Sequence, residues 1–201
     1  MPQTRQPWPM KWVVLAILLV IIPYTFLTLR YRKPEKAFEP YSDLKDRANT
    51  IRLLSSGFQR ITLAAQRPAD PINTIVAASV SNAAGGLPGT LRSSLIDQPR
   101  LPDEILSVAA APNTAVTQPY SIQFSCALPD DKQQLGGAHL YLRDGEIFLV
   151  PNFERITGEL LARSRKNVVL LTVPANALKP GSYHATILGQ RSSKTWTLQV
   201  H

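Results

Sequence analysis

The sequence predicts a mainly β protein: a single N-terminal transmembrane helix, a short amphipathic helix, then a β-sandwich of about seven strands. Three observations predict it. Residues 12–29 run for eighteen positions without a charge. From about residue 105 the apolar pattern changes to a period of two, as in half-buried strands. Turn residues separate the short apolar runs that follow, at the spacing of an all-β domain.

The apolar stretch, WVVLAILLVIIPYTFLTL, comes first. As a helix it spans about 27 Å, close to a bilayer's hydrocarbon core. It runs into TLRYRKP, which has no small-residue cleavage site, so a retained anchor is expected over a cleaved signal. Pro23 sits inside it, where membrane helices tolerate proline. Trp8, Trp12, Tyr24 and Tyr31 lie near its ends, and most fit an interfacial aromatic belt; Tyr24, the deepest, fits least well.

The net charge of +8 is concentrated at this end. Arg5, Lys11, Arg30, Arg32, Lys33 and Lys36 bracket the helix against Glu35 alone. Such charge suits phospholipid headgroups better than nucleic acid. A literal count of flanking cations puts the C-terminal bulk in the cytoplasm. Long domains, however, cross membranes largely regardless of charge. The expected location is therefore the cell membrane, single-pass, with an extracytoplasmic or periplasmic C-terminal domain.

Five segments are expected. Residues 1–11 form a tail, 12–30 the transmembrane helix, and 31–58 a juxtamembrane region with the amphipathic helix. Residues 59–104 form a Pro/Gly-rich extended connector, with a possible strand at 74–80, and 105–201 the sandwich. In the juxtamembrane region Ser42 is the expected N-cap and Gly57 the expected stop. Leu44, Ala48, Ile51 and Leu54 or Leu53 recur at helical spacing, so the helix has an apolar face that needs a cover.

Within 105–201, ILSVAA and YSIQFSCAL read as strands; the second turns Tyr120, Ile122, Phe124, Cys126 and Leu128 one way. Asp144-Gly145 between two apolar runs signals a type I′ hairpin. Pairing Arg143 with Glu146 sets Leu142 beside Ile147 and Leu140 beside Leu149 on one face. His139, Tyr141, Phe148 and Val150 then share the other. Phe153, Ile156, Leu160 and Leu161 suggest a short helix or turn, and NVVLLTVP, GSYHATILG and KTWTLQVH supply three more strands.

The stretch LKPGSYHATI resembles the turn and tyrosine corner of immunoglobulin-like domains. The resemblance rests on Leu178, Pro180, Gly181 and Tyr183. It implies an immunoglobulin-like β-sandwich, a phenol hydroxyl bonded back to the preceding loop, and inward Trp196, Leu198 and Val200. The antibody cysteine pair is absent, since Cys126 is the single cysteine.

Chemistry is sparse. Cys126 points inward while His139 and His184 point outward, so no shared metal site is expected. No nucleophile elbow is present, and GGLPG lacks the lysine and the strand-to-helix context of a phosphate loop. Asp103-Glu104 and Asp130-Asp131 read as surface turns. The expectation is therefore a non-enzymatic interaction protein without a cofactor, metal, nucleic acid or evident small-molecule substrate. Its partners are the lipid bilayer and a membrane protein or complex that it binds or stabilises. The candidate interaction surface comprises Leu44, Ile51, Leu54, Tyr141, Phe148, Val150 and Leu188. Two alternatives are an accessory or assembly subunit of a respiratory or transport complex, as in proteins of similar layout that aid terminal oxidases, and a tethered solute- or metal-binding module.

Overall fold

Helix α1 (Met10–Tyr31) takes up the uncharged stretch. Its Val and Ile residues are helical despite their strand preference. Pro23 removes one amide donor inside it. The Thr28 hydroxyl folds back along the helix, its one proton shared between the carbonyls of Tyr24 and Thr25 at 2.8 and 2.9 Å. Over Met10–Thr28 the helix is long and apolar enough to cross a membrane and buries nothing within the chain; a signal sequence has the same traits.

The structure, a computed structural model, describes residues 9–31, 40–68, 79–156, 161–162 and 164–201. The chain divides into two units, Met1–Asp43 and Leu44–His201. Helix α2 (Pro40–Ser55) begins before Ser42, which therefore lies within the first turn and not outside it as a cap. Gly57, at φ 78°, ends the helix. The Phe58 amide donates to the Leu53 carbonyl at 2.9 Å and the Gly57 amide to Leu54 at 3.0 Å, a Schellman closure. Only a residue without a Cβ adopts that φ at little cost.

The second unit is built on ten strands: β1 (Gln59–Gln66), β2 (Ser81–Ala84), β3 (Glu104–Ala110), β4 (Asn113–Thr114), β5 (Tyr120–Ala127), β6 (Gln133–Arg143), β7 (Glu146–Arg155), β8 (Lys166–Val173), β9 (Gly181–Ile187) and β10 (Ser192–Val200). A short helix, α3 (Gly89–Ser94), lies between β2 and β3. Eight strands close into a barrel in the order β10-β3-β5-β8-β1-β6-β7-β9, with β9 returning to β10. Strands β2 and β4 pair with β10 outside that ring.

The closed sheet differs from the expected pair of stacked sheets, and β1 is the reason. Residues 59–104 were expected as extended connector, yet their first eight residues form a strand of the ring. Gln59–Leu63 pair with β6, then Ala64–Gln66 pair with β8. One strand thus changes partner partway along and stitches two arcs together. On the opposite side the seam is thin: β10 meets β3 at Ser192↔Glu104. Residues 74–78 of the possible connector strand lie outside the described residues.

The hairpin register is the expected one. Arg143↔Glu146, Leu142↔Ile147, Tyr141↔Phe148 and Leu140↔Leu149 are paired, with Asp144 and Gly145 at φ 50° and 82°. The expected helix after it is not present at its start: Phe153 belongs to β7, which runs on to Arg155. Residues 157–160 lie outside the described residues.

Alternation decides the core. Tyr120, Ile122, Phe124, Cys126 and Leu128 are all buried, as are Trp196, Leu198 and Val200. Two buried tyrosine hydroxyls in the barrel are paired. The Trp196 indole donates to the Tyr120 hydroxyl at 3.2 Å, which donates to the Ala111 carbonyl at 2.7 Å. The Tyr183 hydroxyl donates to the Lys179 carbonyl at 2.8 Å, the bond a tyrosine corner requires.

Candidate interaction surface

A second apolar cluster lies outside the barrel core. It joins Leu53 of α2, Phe58, Leu91 of α3 and Leu95 to Tyr141, Val150 and Leu188, with Phe148 against it. Period-two alternation turns Tyr141, Phe148 and Val150 away from the barrel interior, as expected. The chain then covers them itself. Tyr141, Val150 and Leu188 are 3%, 0% and 2% exposed, so these residues of the candidate surface are occupied internally. Phe58 stacks edge-on to Phe148 at 6.4 Å, and the Arg143 guanidinium lies 4.7 Å over the Phe58 ring.

Helix α2 is tied to this cluster by its other contacts. The Arg52 guanidinium donates to the Ser93 carbonyl at 2.9 Å, and the Ile96 amide donates to Asn49 Oδ1 at 3.4 Å. Lys45 lies 3.5 Å from Asp97. The face of α2 that docks on the body is therefore the one carrying Lys45, Asn49, Arg52 and Leu53. The stripe of Leu44, Ile51 and Leu54 turns away, and these side chains are 64%, 66% and 65% exposed. Sequence periodicity identifies this stripe but does not show that the body takes the neighbouring face through Leu53.

The titratable candidates are scattered. Cys126 is buried, and burial pushes its thiol up to about 12 against the opposing pull of Arg67 and an Asn167 backbone hydrogen bond. A thiol so high is inert at neutral pH. His139 is held below the ordinary histidine value of 6.5, first by burial and then by the charge of Arg60, with Asp46 opposing. Its Nδ1 is buried with no hydrogen-bond partner among the described residues, and its ring lies edge-on to Tyr141 at 6.2 Å. His184 Nε2 sits 2.8 Å from the Thr195 hydroxyl, which donates to the Ala185 carbonyl at 3.0 Å. Among the described residues no three His, Cys, Asp or Glu side chains group as metal ligands do.

Asp103 and Glu104 are engaged by one side chain. Arg191 Nε donates to Asp103 Oδ1 at 2.8 Å, its Nη2 bonds the second oxygen of Asp103, and Glu104 lies 3.6 Å away. Sequence reasoning missed one feature of this region: a cleft of about 430 Å³ lined by Arg92 of α3, Arg100, Gln98, Gln133 and Gln190. These residues come from four separated segments, so no linear motif marks them. Comparison with known proteins finds no matching family model, no matching curated protein and no matching solved structure.

Proposed function

We propose that the chain is a non-enzymatic, single-pass membrane-anchored interaction protein. Its β body binds or stabilises a larger membrane assembly from the extracytoplasmic side. The observation that carries the reading is the stripe of Leu44, Ile51 and Leu54, three large apolar side chains left open on a helix otherwise docked to the body. Each side chain gains about 1.5–3 kcal/mol when covered, so a groove or helix of a partner is a favourable cover. Only eight residues, 32–39, separate α1 from α2. Mixed charge on α2 (Asp46 and Arg47 beside Lys45 and Arg52) favours a protein surface over anionic lipid. The likeness to an immunoglobulin-like sandwich belongs to this proposal, and the Tyr183 hydroxyl bonded to the Lys179 carbonyl supports it.

The test is co-purification of the full chain from membranes in mild detergent, wild type against Leu44→Ser/Ile51→Ser/Leu54→Ser. Loss of a stoichiometric partner in the variant, with the melting temperature unchanged, is the expected outcome. Equal recovery from both chains removes the stripe from the interface.

A further inference from the structure

We infer that the cleft between α3, residues 98–101 and the turn at 189–191 binds an acidic peptide segment of a protein partner. This rests on reading the chain as an interaction protein and names the chemistry of what it holds.

Charge is the first argument. Arg92 and Arg100 both line the cleft, and neither has a carboxylate partner among the described residues. The acids near them in the chain are committed elsewhere, Asp97 beside Lys45 and Asp103 and Glu104 beside Arg191. Among the described residues, no Asp or Glu lines the cleft. Two unpaired guanidiniums facing one cavity suit an anion, above all a planar carboxylate that takes two parallel N–H bonds.

The neutral side chains decide which anion. Gln98, Gln133 and Gln190 each bring a donor and an acceptor to the same wall. Gln133 Oε1 is buried and accepts no hydrogen bond from the described residues. A buried acceptor of this kind needs an N–H or O–H from its ligand. A peptide backbone supplies N–H and C=O together. A phosphate ester or a phospholipid headgroup offers mostly acceptors and leaves the carboxamide oxygens unmet. Leu87 and Leu101 add apolar wall beside the arginines, and the volume lies in the range of specific ligand sites.

Backbone hydrogen bonds tie the rim segments to one another. The Gly86 amide donates to the Gly189 carbonyl at 2.8 Å, and the Gln190 amide to Pro102 at 2.7 Å. The Arg100 carbonyl accepts from the Phe153 amide at 3.0 Å, and its own amide donates to Asn152 Oδ1 at 3.3 Å. A Cβ at Gly85 would overlap the carbonyl oxygens of Gln190 and Arg191, so glycine permits the two loops to meet there.

The experiment pans a randomised twelve-residue peptide library against the full chain in nanodiscs, then measures the selected peptides by fluorescence anisotropy. Sequences enriched in Asp and Glu are expected, with binding weakened more than about tenfold by Arg92→Gln/Arg100→Gln. Both arginines are exposed, so the fold survives that change. Gln98→Glu, which leaves the arginines in place, is expected to weaken binding in the same direction. No selected peptide, no acidic enrichment, or equal affinity in the arginine variant overturns the inference. Displacement of the peptides by inorganic phosphate or by phosphatidylglycerol vesicles at lower concentration than by free acidic peptide also overturns it, in favour of a phosphate ligand. A membrane partner that co-purifies equally with wild type and the arginine variant sinks the cleft and leaves the wider reading standing.

Discussion

Single side chains in this molecule mostly settle stability, and His139 is the one with a pH signature. Burial and Arg60 disfavour its charged form, so the folded chain binds this proton less readily than the unfolded chain does. With its folded pKa depressed, the unfolded state takes up more protons as pH drops below the ordinary 6.5, and stability falls with it. Urea titrations at pH 7.5 and 5.0 are expected to show a lower midpoint in acid, and His139→Gln is expected to narrow that difference. An unchanged gap in the variant assigns the acid effect to other groups. Tyr120 carries no such signature near neutrality, since burial raises its phenol to about 12 against the Trp196 hydrogen bond.

At the scale of elements, α2 separates two neighbouring leucines. Leu53 is buried in the second cluster, and Leu54 is open. Leu53→Ala is expected to cost about 2–5 kcal/mol, because it removes packed atoms and leaves a cavity. Leu54→Ala is expected to change stability by no more than about 0.5 kcal/mol. Denaturant midpoints of the two variants check this, and equal losses refute the placement of α2. The sequence pattern left Leu53 and Leu54 as alternatives, because one turn of helix brings both near the same stripe. The body resolves the choice by taking Leu53 together with Phe58, through the closure at Gly57. Local chemistry was readable where it alone decides the outcome. Asp144-Gly145 specifies its turn, and β5 specifies its inward set. Strand β1 was obscured: Ile61, Leu63 and Ala65 do alternate, but the proline-rich residues that follow suggest extended chain, and its two partners lie more than seventy residues away. The cleft was obscured for the same reason, since a free arginine is recognised only after every acid has been matched to its own cation.

The whole body is a ring with unequal joints. Antiparallel pairing is extensive from β3 through β5 to β8, and again from β6 to β7, with one register shift at Ile105/Ser107 and one at Leu135/Gly137. Between β10 and β3 the paired register is Ser192↔Glu104, supported by the Gln190 and Arg191 amides on the Pro102 and Asp103 carbonyls and by the Arg191 ion pair. Local opening follows the least-supported contacts. Native-state hydrogen exchange is therefore expected to release the Gln190 and Arg191 amides well before those of β5 and β8. Equal protection across the ring contradicts this picture. The thin joint forms one border of the proposed peptide cleft, so a bound peptide is expected to slow exchange at those two amides.

Strand β1 also has a mechanical consequence. The polypeptide leaves α1, passes through α2 and enters the ring at a strand with a neighbour on each side. A load drawn along the stem would reach that shared strand before any edge, peeling it from β6 first and from β8 last, and each hydrogen bond in turn would resist. Force on the N-terminal segment would thus meet a graded brake rather than a free end.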